Sequence, residues 1–177
     1  MASAADDELL PVLRAALDQT WSAACITTAD LEPPGPEIVY VNPAYCAMTG
    51  RPASEVIGVS PRIMQGPLTS RAVLDQLKAE LTAGRPFAGE TVNYRGDGAP
   101  FLISWRIDPV AGPDGVATHY IATQRDITAI RRAERQLAAG RAVDRSVATL
   151  LSGPGEPAVN ISSTAPAMSA ARASKLT

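Results

Sequence analysis

The residues suited to chemistry are few and widely spaced. In GVSPRIMQG, residues 58–66, Ser60 and Pro61 open a short helix, and Arg62 and Gln65 follow three positions apart. Arginine presents a planar fork that can grip a phosphate through two parallel hydrogen bonds, whereas Lys78, further on, offers a point charge without the fork. Two such cations are more often ordinary solvated surface, so charge alone assigns them nothing. Asn93 and Gln124 lie in strand-like segments, and an amide turned into a dry core needs partners there. The thiols are Cys25 and Cys46, and His119 is the one histidine. Two cysteines cannot build a metal site alone. The chain has no glycine-rich phosphate loop and no nucleophile elbow, so hydrolytic and metal chemistry are poorly supported.

The elements that must position these residues can be read from periodicity and punctuation. Residues 5–20 place Leu9, Leu10, Leu13, Ala16 and Leu17 at helical spacing, with acids at the start that suit the helix dipole. Pro11 is expected in the first turn, where proline is tolerated, and the helix is expected to pack through its apolar face. A strand near Trp21–Thr27, a proline-rich loop and a strand at Ile38–Val41 follow. Short helices are expected at Ala44–Thr49 and Ala53–Ile57. Ser60-Pro61 reads as N-cap and first residue of another, and Ser70–Leu81 reads as a longer helix. Three strands come next, Gly89–Arg95, Pro100–Val110 and Val116–Ile127, separated by glycine-rich turns. This order predicts an α+β fold: a five-stranded antiparallel sheet with short helices over one face, flanked by N- and C-terminal helices.

The ends carry less information. From Thr128 to about Leu151 a helix places Ile130, Ala133, Leu137, Gly140, Asp144, Val147 and Leu151 on a heptad seam, flawed at Gly140 and Asp144. It could pack on its own sheet or on a second copy of the chain. Beyond Ser152 the composition turns to small residues and proline, and residues 152–177 are expected to be disordered. Asn160 opens a glycosylation triplet on paper only. The organisation expected is a helical cap over 1–20, a core over 21–128, a linker helix over 129–151 and a tail. Net charge is −2, with 46% apolar and 19% charged residues. That balance argues against a nucleic-acid surface. No apolar run reaches membrane-span length and the N-terminus is acidic, so a cytoplasmic protein without membrane contact is expected.

Taken together, EIVYVNPAYCAMTG, ASEVIGVSPRIMQGP, NYRGDGAPF and YIATQRDIT resemble a PAS domain of the light–oxygen–voltage (LOV) flavin-binding class, over about residues 22–128. The resemblance implies that Arg62 pairs with the flavin phosphate, that Gln65 contacts the ribityl chain, and that Lys78 stands where a second phosphate arginine is usual. It also implies that Asn93 and Gln124 are flavin-contacting amides. Strand alternation independently allows Asn93, Ile103, Trp105, Ala122 and Gln124 to line one wall, although the same face could simply be core. FMN is implied rather than FAD, because no long insertion follows the second strand to house an adenylate; riboflavin is the lesser alternative.

Three departures from the family pattern stand out. Ser60 replaces an asparagine, Ile103 replaces another that would bind the pyrimidine edge, and Pro61 replaces the cysteine that bonds the flavin after blue-light excitation. Proline has no nucleophile, so that adduct cannot form at residue 61. Either the thiol is relocated to Cys25, on the first strand, or flavin photoreduction replaces it, with Trp105 or Tyr120 as electron donor. Buried cysteines are more often inert. In the second case Gln124, whose amide has both a donor and an acceptor end, would rotate and alter the docking of the C-terminal helix. The expectation is a blue-light or redox sensory domain and not an enzyme, signalling through its terminal helices as a homodimer or to a protein effector. The alternative is a PAS dimerisation or small-ligand module without photochemistry.

Overall fold

The computed structural model describes residues 4–151, with side chains from residue 8 to 143 and at Arg145. The expected tail, Asn160 and the seam positions Asp144, Val147 and Leu151 therefore fall wholly or in their side chains outside the described residues. The chain forms two units, Met1–Gln136 and Leu137–Thr177. The first contains the five strands and the helices between them.

Five strands form one antiparallel sheet: β1 (Ala23–Thr28), β2 (Ile38–Val41), β3 (Phe87–Tyr94), β4 (Pro100–Ala111) and β5 (Ala117–Asp126). Their spatial order is β2-β1-β5-β4-β3, so the first and last strands of the sequence pair at the centre. The register sets Cys25 opposite Ala122, Trp105 opposite Gln124 and Asn93 opposite Phe101. Directly opposed residues share a sheet face, and alternate residues along each strand do too. One face thus collects Cys25 and Thr27, Tyr120, Ala122 and Gln124, Trp105 and Ile107, and Asn93.

The helices between β2 and β3 have sequence reasons to be where they are. Asn42 caps α2 (Pro43–Thr49), accepting from Tyr45 N, and Gly50 closes it with a φ of 65°, a left-handed position that glycine adopts without Cβ strain. α3 (Ala53–Val56) has Pro52 at its entrance and no side-chain cap. Ser60 caps the 3-10 turn Pro61–Met64, in which Pro61 occupies the first position, as expected of a residue without an N–H. α4 (Arg71–Thr82) is capped by Ser70. Two apolar clusters fill the space against the sheet. One gathers Cys25, Ile38, Val41, Tyr45, Val56 and Met64, and the other Leu81, Phe87 and Tyr120. Ile38 and Val56 are completely buried, and burying such a side chain contributes about 1.5–3 kcal/mol.

The flanking helices depart from expectation in detail. α1 spans Ala4–Asp18, so Pro11 lies in its interior and not in its first turn, where it removes one backbone hydrogen bond. Most of the expected apolar docking face is open: Leu9, Leu10 and Leu13 are all exposed. α1 is tied to the sheet through polar groups instead. Tyr40 Oη donates to Asp18 Oδ1 at 2.6 Å, and the Arg14 guanidinium lies 5.8 Å from the Tyr40 ring centre. α5 spans Thr128–Leu151, with Ile130 and Leu137 exposed. Trp21, placed by the sequence at the start of β1, stands before it and is 88% exposed, with the Arg125 guanidinium 5.5 Å from its ring centre.

Candidate functional site

The shared face of the sheet, α4 and two connecting segments enclose a cavity of about 320 Å³. Its floor is β1, β5, β4 and β3, through Cys25, Thr27, Ala122, Gln124, Trp105 and Asn93. Its side is α4, whose Leu74, Leu77 and Leu81 face in, together with Pro61. Its mouth is polar, carrying Arg62, Gln65 and Lys78, and is crossed by the proline-rich loop between β1 and β2 through Leu31, Glu32, Pro33 and Pro36. An apolar floor with a few polar groups and a charged rim is the usual make-up of a small-molecule site.

Local chemistry fixes the segment that carries Arg62 and Gln65. After the 3-10 turn, Gly66 N donates to Thr69 Oγ1, and Thr69 Oγ1 donates to Val92 O of β3 at 2.7 Å. Ser70 N donates to Thr91 Oγ1 and Leu68 N to Tyr94 Oη. The Tyr94 ring lies so close to Gly66 that a Cβ there would come within 2.3 Å of its edge. The segment is thus riveted along β3, with Arg62 at one end and the N-terminus of α4 at the other.

Of the residues expected at the site, Arg62, Gln65, Lys78, Asn93, Trp105, Gln124, Tyr120 and Cys25 all line the cavity. Two do not. Ser60 is spent on its cap, accepting from Arg62 N at 3.5 Å. Ile103 is fully buried, opposite Thr91 and Asp126, and the next inward residue of β4 towards the cavity is Trp105, then Ile107. The reading from sequence missed the loop Leu31–Pro36, which has no periodicity to betray its path. It also missed the inward role of Leu74 and Leu77, which a helical stripe makes indistinguishable from core. Ile107 was visible in the β4 alternation.

Two polar atoms in this lining are buried without a hydrogen-bond partner, Asn93 Oδ1 and Trp105 Nε1. An acceptor and a donor left unpaired in a dry place each cost about 1–3 kcal/mol, unless a ligand pairs with them. At the mouth, Arg62 Nη2 donates to Leu31 O at 2.8 Å and Lys78 Nζ pairs with Glu32 Oε1 at 2.8 Å. Cys25 is 1% exposed, and burial pushes its thiol up to about 12, so it is protonated at neutral pH. Burial also raises Tyr120 above its ordinary value. Phe87 meets Trp105 edge-on, with ring centres 6.2 Å apart, which fixes the indole. Among the described residues no cluster of His, Cys, Asp or Glu could hold a metal ion, and no helix is long and apolar enough to cross a membrane.

At the end of the floor, β5 leads directly into α5. Asp126, two residues after Gln124, accepts from Thr128 N at 2.8 Å and pairs with Arg95, which also donates to Met48 O. Burial alone would raise the Asp126 carboxyl. The hydrogen bonds from Thr128 and Arg95 outweigh that and hold it below its ordinary value of 3.8. Thr128 Oγ1 in turn accepts from Leu102 N of β4.

Comparison with known proteins places these features in context. Residues 23–129 match the model of a PAS domain family. The chain is 34% identical over 100 residues to a nitrogen fixation regulatory protein of Klebsiella oxytoca, covering 56% of this chain and 20% of the relative. It is 33% identical over 133 residues to a blue-light-activated histidine kinase of Rhizobium johnstonii, covering 75% of this chain and 37% of that one. Among solved structures it is similar to a light-oxygen-voltage domain studied with a flavin analogue. That likeness has a TM-score of 0.60 at 26% identity and covers 79% of this chain and 98% of that one. The chain therefore spans well under half the length of these curated relatives.

Proposed function

The chain belongs to the PAS domain family, and on that premise we propose that it is a flavin-binding sensory domain of the light-oxygen-voltage kind. The carrying observation is the pair of unpartnered buried atoms, Asn93 Oδ1 and Trp105 Nε1, in an apolar cavity with cations at its mouth. A flat ring with a polar edge and an anionic tail fits that arrangement: stacking area on the leucines, a donor for Asn93 Oδ1, an acceptor for Trp105 Nε1, a further hydrogen bond with Gln124, and Arg62 with Lys78 for a phosphate. FMN fits these donors best. When bound, a flavin supplies light absorption and one-electron redox chemistry.

The rest falls to the chain's own residues. Pro61 lines the cavity but has no group to donate. Cys25 lines it too, but it is buried in the floor as a small apolar side chain, the usual state of an unreactive thiol. Trp105 and Tyr120 line it as electron-rich rings, and this arrangement favours photoreduction over a relocated thiol adduct. Gln124 would read the change through its amide, and Asp126 would pass it to Thr128, the first residue of α5. Output travels through the terminal helices to a second copy or to a protein effector, in the cytoplasm. No enzymatic step is assigned to this chain.

Purified protein offered FMN tests the reading: it should bind with the visible absorption of a protein-held flavin and bleach under blue light. Failure to take up FMN in excess overturns it. A second reading is a sensor that works without light; one of the relatives is described as a nitrogen fixation regulatory protein. In that reading the same cavity holds a flavin whose redox state is sensed in the dark. A bound flavin that responds to reductant but not to light would select it.

A further inference from the structure

Three cations and two carboxylates ring the cavity mouth: Arg62, Arg71 and Lys78, with Glu32 and Asp75. Arg71 and Asp75 pair at 3.1 Å one turn apart on α4, which helix spacing alone explains. Glu32 is different. It reaches Lys78 from another element, the loop between β1 and β2, while Leu31 beside it gives its carbonyl to Arg62. Two successive residues of one loop thus present a carboxylate and a carbonyl to the two cations assigned above to a ligand phosphate.

We propose that Glu32 is an internal competitor for that anion position, a specificity-determining residue that weakens the chain's preference for a phosphorylated flavin over one with a neutral tail. The inference rests on the flavin reading and goes beyond it. A phosphate that engages Lys78 must displace the Glu32 carboxylate or lie beside it, and like charges at contact distance repel. Riboflavin, uncharged at its tail, meets no such conflict. Both partners are substantially exposed, at 48% and 71% of their side chains, so the competition is modest and screened by salt. Neutralising Glu32 frees the Lys78 ammonium and removes the repulsion in one step.

The test is a titration of the flavin-free protein with FMN and with riboflavin, in wild type, Glu32→Gln and Glu37→Gln. Glu37 is an exposed carboxylate at the far end of the same loop and is not in the cavity lining, so it controls for net charge. Glu32→Gln should tighten FMN about three- to fivefold at low salt, less at high salt, and leave riboflavin unchanged. Glu37→Gln should change neither. An unchanged ratio of FMN to riboflavin affinity in Glu32→Gln overturns the proposal, as does equal tightening of both flavins or an equal gain in Glu37→Gln. If wild type binds neither flavin, the underlying reading fails as well; flavin binding with an unaltered ratio removes only the role of Glu32.

Discussion

At the scale of single residues, the decisive contrast is between Cys25 and the rings around the cavity. Cys25→Ala should leave light-driven bleaching of bound FMN in place, whereas Trp105→Phe should slow it severalfold or more; illuminated absorption spectra of the two variants check both. Loss of bleaching in Cys25→Ala would restore the thiol as the reactive group. Arg62→Ala should weaken FMN about ten- to a hundredfold, because a hydrogen bond to a charged partner is worth about 1.5–3 kcal/mol, with little effect on riboflavin. Fluorescence titration distinguishes the two ligands. Strand alternation allowed Asn93, Trp105 and Gln124 to share one wall, but the register that relates their three strands came from the structure. Ser60 illustrates the limit: a serine ahead of a helix can bind a ligand or cap the helix, and only the local backbone decides.

Among elements, Asn42 holds more together than its place at the start of α2 suggests. Its Oδ1 accepts from Ala24 N and Tyr45 N, and its Nδ2 donates to Leu17 O, Thr20 Oγ1 and Ser22 O. One completely buried amide therefore joins the end of α1, the start of β1 and the cap of α2. Asn42→Ala should cost about 3 kcal/mol or more in urea denaturation, combining a lost cap with stranded buried groups. The sequence brackets this turn with Asn42 and Gly50 but does not show the hub, because four of those five partners lie well before it in the chain, between Leu17 and Ala24. Asp126 carries a pH prediction. Its carboxyl is depressed in the folded chain, so its contribution is present above the ordinary value of 3.8 and is lost as pH falls through the lower folded value. Protection of the first α5 amides against hydrogen exchange should fall in that acid range, and Asp126→Asn should flatten the dependence.

For the whole molecule, the order of elements made the sheet and its helical cover legible, since two strands, several short helices and three strands leave few ways to share one core. What could not be read was the fate of the helix flanks. Their apolar spacing predicted packing, yet Leu9, Leu10 and Leu13 on α1 and Ile130 and Leu137 on α5 are exposed in the single chain. A homodimer would cover such side chains. Sedimentation should show a concentration-dependent dimer, weakened by Leu10→Glu with Leu13→Glu, while FMN binding in the unit Met1–Gln136 persists. A monomer at all concentrations would leave the effector as the remaining outlet.

The two tryptophans occupy opposite environments: Trp105 inside the cavity, Trp21 in solvent beside Arg125, the residue that follows Gln124. Their emission should therefore separate by colour, blue-shifted from the indole in the cavity and red-shifted from the other. A dye seated in the cavity would quench Trp105 by energy transfer, and a shift in β5 would disturb Trp21. The protein thus carries two intrinsic optical probes, one for occupancy and one for the strand that leads outwards, without any label being attached.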